Sequence, residues 1–113
     1  MNDCIFCKII NKEIPSNIVF ENESVIAFED LNPVAPVHIL VVPKKHMTDI
    51  MDVNNDDMHY LMEVYKAIQN IVKEKEIEES GFRIVNNCGE NGGQTVGHIH
   101  FHIIGGKKLG EMA

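Results

Sequence analysis

Three histidines separated by single residues lie in the run Gly97-His98-Ile99-His100-Phe101-His102-Ile103-Ile104, and they are half of the six histidines in this 113-residue chain. Side chains on a strand alternate between faces. Extended, this run puts His98, His100 and His102 on one side and Ile99, Phe101 and Ile103 on the other, toward a core under a helix. A solvated face that merely happens to use histidine is the bland alternative. Gly97 and Gly105-Gly106 argue against it, because they let backbone or ligand approach closely. Two chemistries fit the spacing. Imidazoles two residues apart can ligate one metal, as in several zinc hydrolases. Alternatively, a neutral imidazole attacks an electrophile while its neighbours bind the developing charge. Histidine suits the second task because its unperturbed pKa is about 6.5. Spacing alone leaves both open.

The segment before the histidines narrows the chemistry. Gly89-Glu90-Asn91-Gly92-Gly93-Gln94-Thr95 offers flexible backbone N–H groups and two side-chain donors, a composition that can wrap a phosphate. An ordinary surface loop is the commoner meaning of such a stretch. Placed directly ahead of three imidazoles, it suggests a phosphate held beside a nucleophile, hence phosphoryl or nucleotidyl transfer.

Cys4 and Cys7 form a CxxC pair, with Cys88 alone. The pair reads as redox-active, as two buried thiols, or as half of a zinc site, and no second CxxC follows. His46 and His98 can complete a Cys2His2 tetrahedron. Cys88 reads as a passenger beside the glycine loop, and His59 as solvent-exposed.

The elements that must position these groups are legible in outline. Cys4 to Lys12 reads as a short helix ended by Pro15. Ile18–Glu21 and Val25–Glu29 read as a hairpin joined by Asn22-Glu23-Ser24. Pro33 and Pro36 exclude a central strand or helix between residues 31 and 36. His38–Val42 reads as a buried strand. Asn54 or Asn55 caps a long helix with Asp56 and Asp57 in its first turn, and Met58, Leu61, Tyr65, Ile68 and Val72 mark its apolar face. Phe82–Asn86 and Gly97–Ile104 read as the last strands. The order predicts a single α+β domain over residues 1–113, on a largely antiparallel sheet.

Composition bounds the function. A hydrophobic share of 44% allows a packed core, and a formal charge of −7 disfavours sequence-blind binding to nucleic acid or an anionic membrane. No run approaches the roughly 20 apolar residues that span a bilayer. Met1-Asn2-Asp3 lacks the basic and apolar regions of a signal peptide. The expectation is a cytoplasmic protein.

The histidine run resembles the signature of the histidine triad family, His-φ-His-φ-His-φ-φ with φ apolar. Cys4-Ile5-Phe6-Cys7-Lys8-Ile9, Ala27-Phe28-Glu29-Asp30-Leu31-Asn32-Pro33, Ala35–His46 and Gly92-Gly93-Gln94-Thr95 are similar to segments of its Hint branch, in the same order. The resemblance implies a five-stranded, mainly antiparallel sheet with one long central helix and a short N-terminal helix, and a homodimer. It implies hydrolysis of purine nucleoside 5′-monophosphoramidates, with aminoacyl adenylates as further substrates. AMP- or GMP-type nucleotides are the implied ligands, and no organic cofactor is implied. By position, His100 matches the nucleophile, His38 the histidine supporting it, and His102 and Asn87 phosphate-binding positions. Gly93, Gln94 and Thr95 match the phosphate loop, Asp30 the carboxylate on the ribose hydroxyls, and Phe28 and Leu31 the base site. Some bacterial members hold structural zinc at positions matching Cys4, Cys7, His46 and His98. Two departures stand out: Thr95 replaces a serine, and the chain lacks the C-terminal tryptophan of eukaryotic members. A zinc-dependent hydrolase using the three strand histidines, and a nucleotide-binding scaffold with incidental catalysis, are the rival readings.

Overall fold

Val25–Glu29 and Val37–Pro43 are apolar at almost every position, the pattern of strands covered on both faces. In the computed structural model, which describes residues 3–112, they are β2 and β3 of a five-stranded antiparallel sheet. Met1 and Asn2, part of the segment read above for a signal peptide, and Ala113 at the end of the expected domain, lie outside the described residues. The edges are β1 (Ile18–Glu21) and β4 (Phe82–Val85), and β5 (Phe101–Gly105) joins β3 to β4, giving the order β1-β2-β3-β5-β4. Helix α1 (Ile5–Ile10) precedes the sheet, and α2 (Met58–Glu74) connects β3 to β4. The expected α+β fold, with one long and one short helix, is the observed one. Among the described residues no helix is long and apolar enough to cross a membrane.

Strand alternation divides the core in two. Val25 and Ala27, Ile39 and Val41, and Ile99, Phe101 and Ile103 face α2, where Val64, Ala67, Ile68, Ile71 and Val72 cover them. Ile26, Phe28, Leu40 and Val42 face the other way and meet Phe6 and Ile9 of α1. Fully burying each such side chain contributes about 1.5–3 kcal/mol, so two-sided burial holds β2 and β3 at the centre.

Two expectations about α2 need correction. Of the expected α2 stripe, Ile68 and Val72 are buried, whereas Met58 and Tyr65 are 46% and 50% exposed. Val64, Ala67 and Ile71 complete the covered face, because the sheet contacts the helix along a line rotated from the one Met58 and Tyr65 define. Nor does Asn54 or Asn55 cap it by side chain: Asn55–Asp57 is a 3-10 turn, Asp57 stands at the N-cap, and its carboxylate pairs with Lys45 at 2.8 Å.

The last strand is also shorter than the sequence suggested. Its ladder begins at Phe101, opposite Val41. Beyond that point β3 continues along β2 only, so residues 98–100 satisfy their groups elsewhere. Ile99 N–H donates to the Met47 carbonyl at 2.7 Å, and Asn86 Nδ2 donates to the His100 carbonyl at 2.9 Å.

Candidate active site

Register builds the floor of the site. Phe28 on β2 lies opposite Leu40 on β3, and Leu40 opposite His102 on β5, so one cross-strand row runs over three strands on the face covered by α1. His38, two residues before Leu40, shares that face, and Asp30 follows β2 on the same side. The cleft here has a volume of about 240 Å³ and is mainly apolar: Phe6 and Ile9 of α1, Ile14, Phe28, Leu40 and Val96 line it, with Leu31 at the rim. His100, His102, Asp30, Ser16 and Thr95 supply its polar lining.

The imidazoles have defined partners. His100 is 4% exposed, and its ring meets Phe6 edge-on with centroids 5.0 Å apart. Its Nδ1 lies 2.8 Å from the His98 carbonyl oxygen, which can only accept, so Nδ1 donates and Nε2 keeps the lone pair. His38 Nε2 lies 2.9 Å from His102 Nδ1 and 3.5 Å from the Asp30 carboxylate. Burial drives the pKa of His102 down to about 4, with the neighbouring His100 and His38 adding to the effect. His102 is therefore neutral at pH 7.

The other expected residues fall into three places. Phe28, Asp30, Leu31, Thr95, His100 and His102 meet at the cleft, whereas His38, expected to support His100, is bonded to His102 instead. Gly93 and Gln94 line a shallower groove that adjoins the cleft at Thr95 and Val96. Asn87 and Gln94 brace the loop itself. Asn87 Nδ2 donates to the Gly92 carbonyl at 2.7 Å, while Gln94 Nε2 donates to the Thr48 and Val96 carbonyls at 2.7 and 3.0 Å. Gln94 Oε1 also accepts the Gly89 N–H at 2.9 Å, so its amide is largely committed to loop shape. Sequence reasoning missed Phe6, Ile9, Leu40, Val96 and Asn86. The three-residue spacing of Phe6 and Ile9 marked a covered helix face, but nothing marked which side of the sheet it covers.

Cys4, Cys7, His46 and His98 also come together. Cys4 Sγ and Cys7 Sγ lie 3.3 and 3.6 Å from His98 Nδ1, and Cys7 Sγ lies 3.3 Å from His46 Nδ1. His98 Nε2 donates to the Pro43 carbonyl at 2.8 Å, which turns the Nδ1 lone pair toward the thiols. Burial holds the pKa of His98 down at about 4, leaving it in the neutral form a metal requires. Two thiols and two imidazole nitrogens converging with an oriented second shell are the donor set of tetrahedral zinc. The residues fit the ion.

Among the described residues, the ligand atoms of potential metal-binding groups converge in two separate sets, Cys4-Cys7-His46-His98 and Asp30-His38-His102. The three strand histidines do not form one set, and His100 belongs to neither. That division runs against a hydrolase that ligates one metal with all three.

A five-stranded antiparallel sheet whose last strand, with the segment leading into it, brings His102 and His100 to an apolar cleft defines a class, and sequence comparison agrees with it. The chain belongs to the HIT domain family, which matches residues 11–109. It is similar to the purine nucleoside phosphoramidase of Escherichia coli (strain K12), with 40% identity over 97% of this chain and 92% of that one. Among solved structures it is similar to a histidine triad protein from Clostridium difficile, at TM-score 0.96 and 52% identity, covering 100% of this chain and 98% of that one. A HIT family hydrolase from Clostridium thermocellum matches at TM-score 0.95 and 42% identity, over 99% and 97% of the two chains.

Proposed function

We propose that this protein hydrolyses purine nucleoside 5′-monophosphoramidates through a covalent nucleotidyl-histidine on His100, with aminoacyl adenylates as further substrates. One observation carries the reading: the Nδ1 bond to the His98 carbonyl leaves an Nε2 lone pair on a residue that lines the cleft. The activity in the name of the Escherichia coli relative supports it.

In this reading the purine lies among Phe6, Ile9, Phe28 and Leu40, and the Asp30 carboxylate accepts the ribose hydroxyls. His100 Nε2 attacks phosphorus, the P–N bond breaks, and the amine leaves with a proton taken from solvent. Water then attacks the phosphorus–imidazole bond, releasing the nucleoside monophosphate and neutral His100. His102 and the backbone around Thr95 donate to the phosphoryl oxygens, whose charge grows in the transition state. Fixed donors cost no reorganisation during the reaction.

The Cys4-Cys7-His46-His98 set would hold a structural zinc ion. When bound, the ion would cross-link the N-terminus to the approach to β5, adding stability outside the reaction. A homodimer is supported by the exposed stripe Met58, Met62 and Tyr65 on α2, at 46%, 61% and 50% exposure, and by the unpaired edge of β4. A cytoplasmic location fits the absence of disulfides among the three cysteines.

The test is incubation of the purified chain with adenosine 5′-phosphoramidate, following AMP. Release of AMP that persists with chelator is expected. No AMP release, or release abolished by chelator while the fold remains intact, refutes the reading.

A further inference from the structure

The hydrogen bonds behind His102 have a direction that begins outside the histidines. Val34 N lies 3.2 Å from His38 Nδ1, and a peptide N–H can only donate, so Nδ1 of His38 is an acceptor. A neutral imidazole carries one proton, which on His38 must then be on Nε2. That nitrogen lies 2.9 Å from His102 Nδ1 and donates to it. His102 in turn keeps its proton on Nε2. The Asp30 carboxylate, 3.5 Å from His38 Nε2, faces the same proton and favours it there.

We propose that the Val34 peptide N–H is a positioning group which, acting through His38, fixes His102 as an Nε2–H donor toward the phosphoryl group. This rests on the phosphoramidase reading above. The loop is built to hold that amide still. Pro33 and Pro36 fix two φ angles around Val34, and the Asp30 carboxylate accepts the Asn32 N–H at 2.7 Å.

Two consequences follow from where the protons are. His102 is neutral and cannot release its Nε2 proton without becoming an imidazolate, so it is a hydrogen-bond donor and the departing amine is protonated by solvent. In addition, Asp30, His38 and His102 converge closely enough to suggest a cation site. The proton between the two imidazoles occupies the lone pair that a metal would need, and Val34 opposes the tautomer that would free it. The amide that aligns the donor thus disfavours a divalent ion bridging His38 and His102.

The full chain, labelled with 15N-histidine, reports both tautomers through long-range 1H–15N correlations, free and with AMP. His38 and His102 are expected to be protonated on Nε2 and unprotonated on Nδ1. Protonation of His102 Nδ1 overturns the proposal. Val34→Pro removes the N–H, whereas Val34→Ala keeps it. With proline, a mixed His38 tautomer is expected, with kcat falling about tenfold to a hundredfold, below the about 100–1,000-fold loss for deleting a preorganised donor, and with KM changing far less. With alanine, the wild-type tautomers are expected to return. Unchanged tautomers in Val34→Pro, or altered tautomers with unchanged kcat, overturn the proposal. Should Val34→Pro not fold, His38→Ala replaces it: His102 is then expected to become a tautomer mixture, and retention of pure Nε2–H overturns the proposal. If the wild type hydrolyses no phosphoramidate, the hydrolase reading fails by itself, while the spectra still decide the tautomers.

Discussion

The ring of His100 is bonded to the backbone of His98, its Nδ1 donating to that carbonyl at 2.8 Å. One bond thereby sets both the orientation and the tautomer of the residue with the free Nε2 lone pair. The same His98 turns its own Nδ1 toward Cys4 and Cys7, so two neighbouring histidines face different chemistries.

His100→Ala is expected to lower phosphoramidate turnover by at least about a thousandfold, since the proposed covalent step runs through His100. Base-quenched mass spectra of His102→Gln during turnover should show one added nucleotidyl group on the peptide containing His100. An adduct on another residue, or full activity in His100→Ala, would refute the assignment.

Zinc should matter to stability and hardly to rate. Stoichiometric zinc is expected by elemental analysis. Its removal by chelator should lower Tm by about 10 °C or more, consistent with a few kcal/mol in a domain of this size. Cys7→Ser should reproduce the loss. Turnover measured where the chelated protein remains folded should change by less than about threefold, because the proposed reaction is not routed through the ion.

Acid should unfold the protein partly through His102. Its folded pKa is about 4, lowered first by burial and then by His100 and His38, against about 6.5 in an unfolded chain. Between those values the unfolded state binds a proton that the folded state does not, so stability falls as pH drops from 6.5 toward 4. Above pH 6.5 the group is neutral in both states and contributes no slope. Thermal melts should show a smaller acid loss in His102→Gln than in the wild type, and equal slopes would contradict this.

The glycine loop has a steric test. A Cβ on Gly92 would lie 2.4 Å from the Cys88 carbonyl oxygen, so the backbone must shift. Gly92→Ala is expected to cost about 1–3 kcal/mol and to raise KM, because the loop leads into Thr95. A Cβ on Gly97 meets nothing within 4 Å, so Gly97→Ala should stay within about 0.5 kcal/mol of wild type. Denaturant melts of the two variants would separate crowding from a general need for glycine.

For the proposed dimer, Met62→Asp on the exposed α2 stripe should produce monomers in sedimentation experiments, with little loss of helix content. A wild type that sediments as a monomer would remove the basis for that interface.

Period-two alternation at residues 99–103 and the unbroken apolar runs of β2 and β3 determined, without coordinates, which side chains are core and that the histidines oppose them. Motif order likewise gave the fold class and the cysteine–histidine set. The alternation is a local signal, because side-chain direction follows from backbone period; the cysteine–histidine set came from the resemblance instead. Tertiary structure alone decided where His98 ends its service to the strand, since that depends on where β3 stops pairing with β5. It also decided which stripe of α2 is covered, that α1 roofs the cleft with Phe6, and that Gln94 is committed to holding its loop. Each depends on contacts between segments distant in the chain, which a local pattern does not encode. The three histidines are equivalent in spacing; the resemblance assigned them different positions, and the structure shows the different partners that folding brings to each.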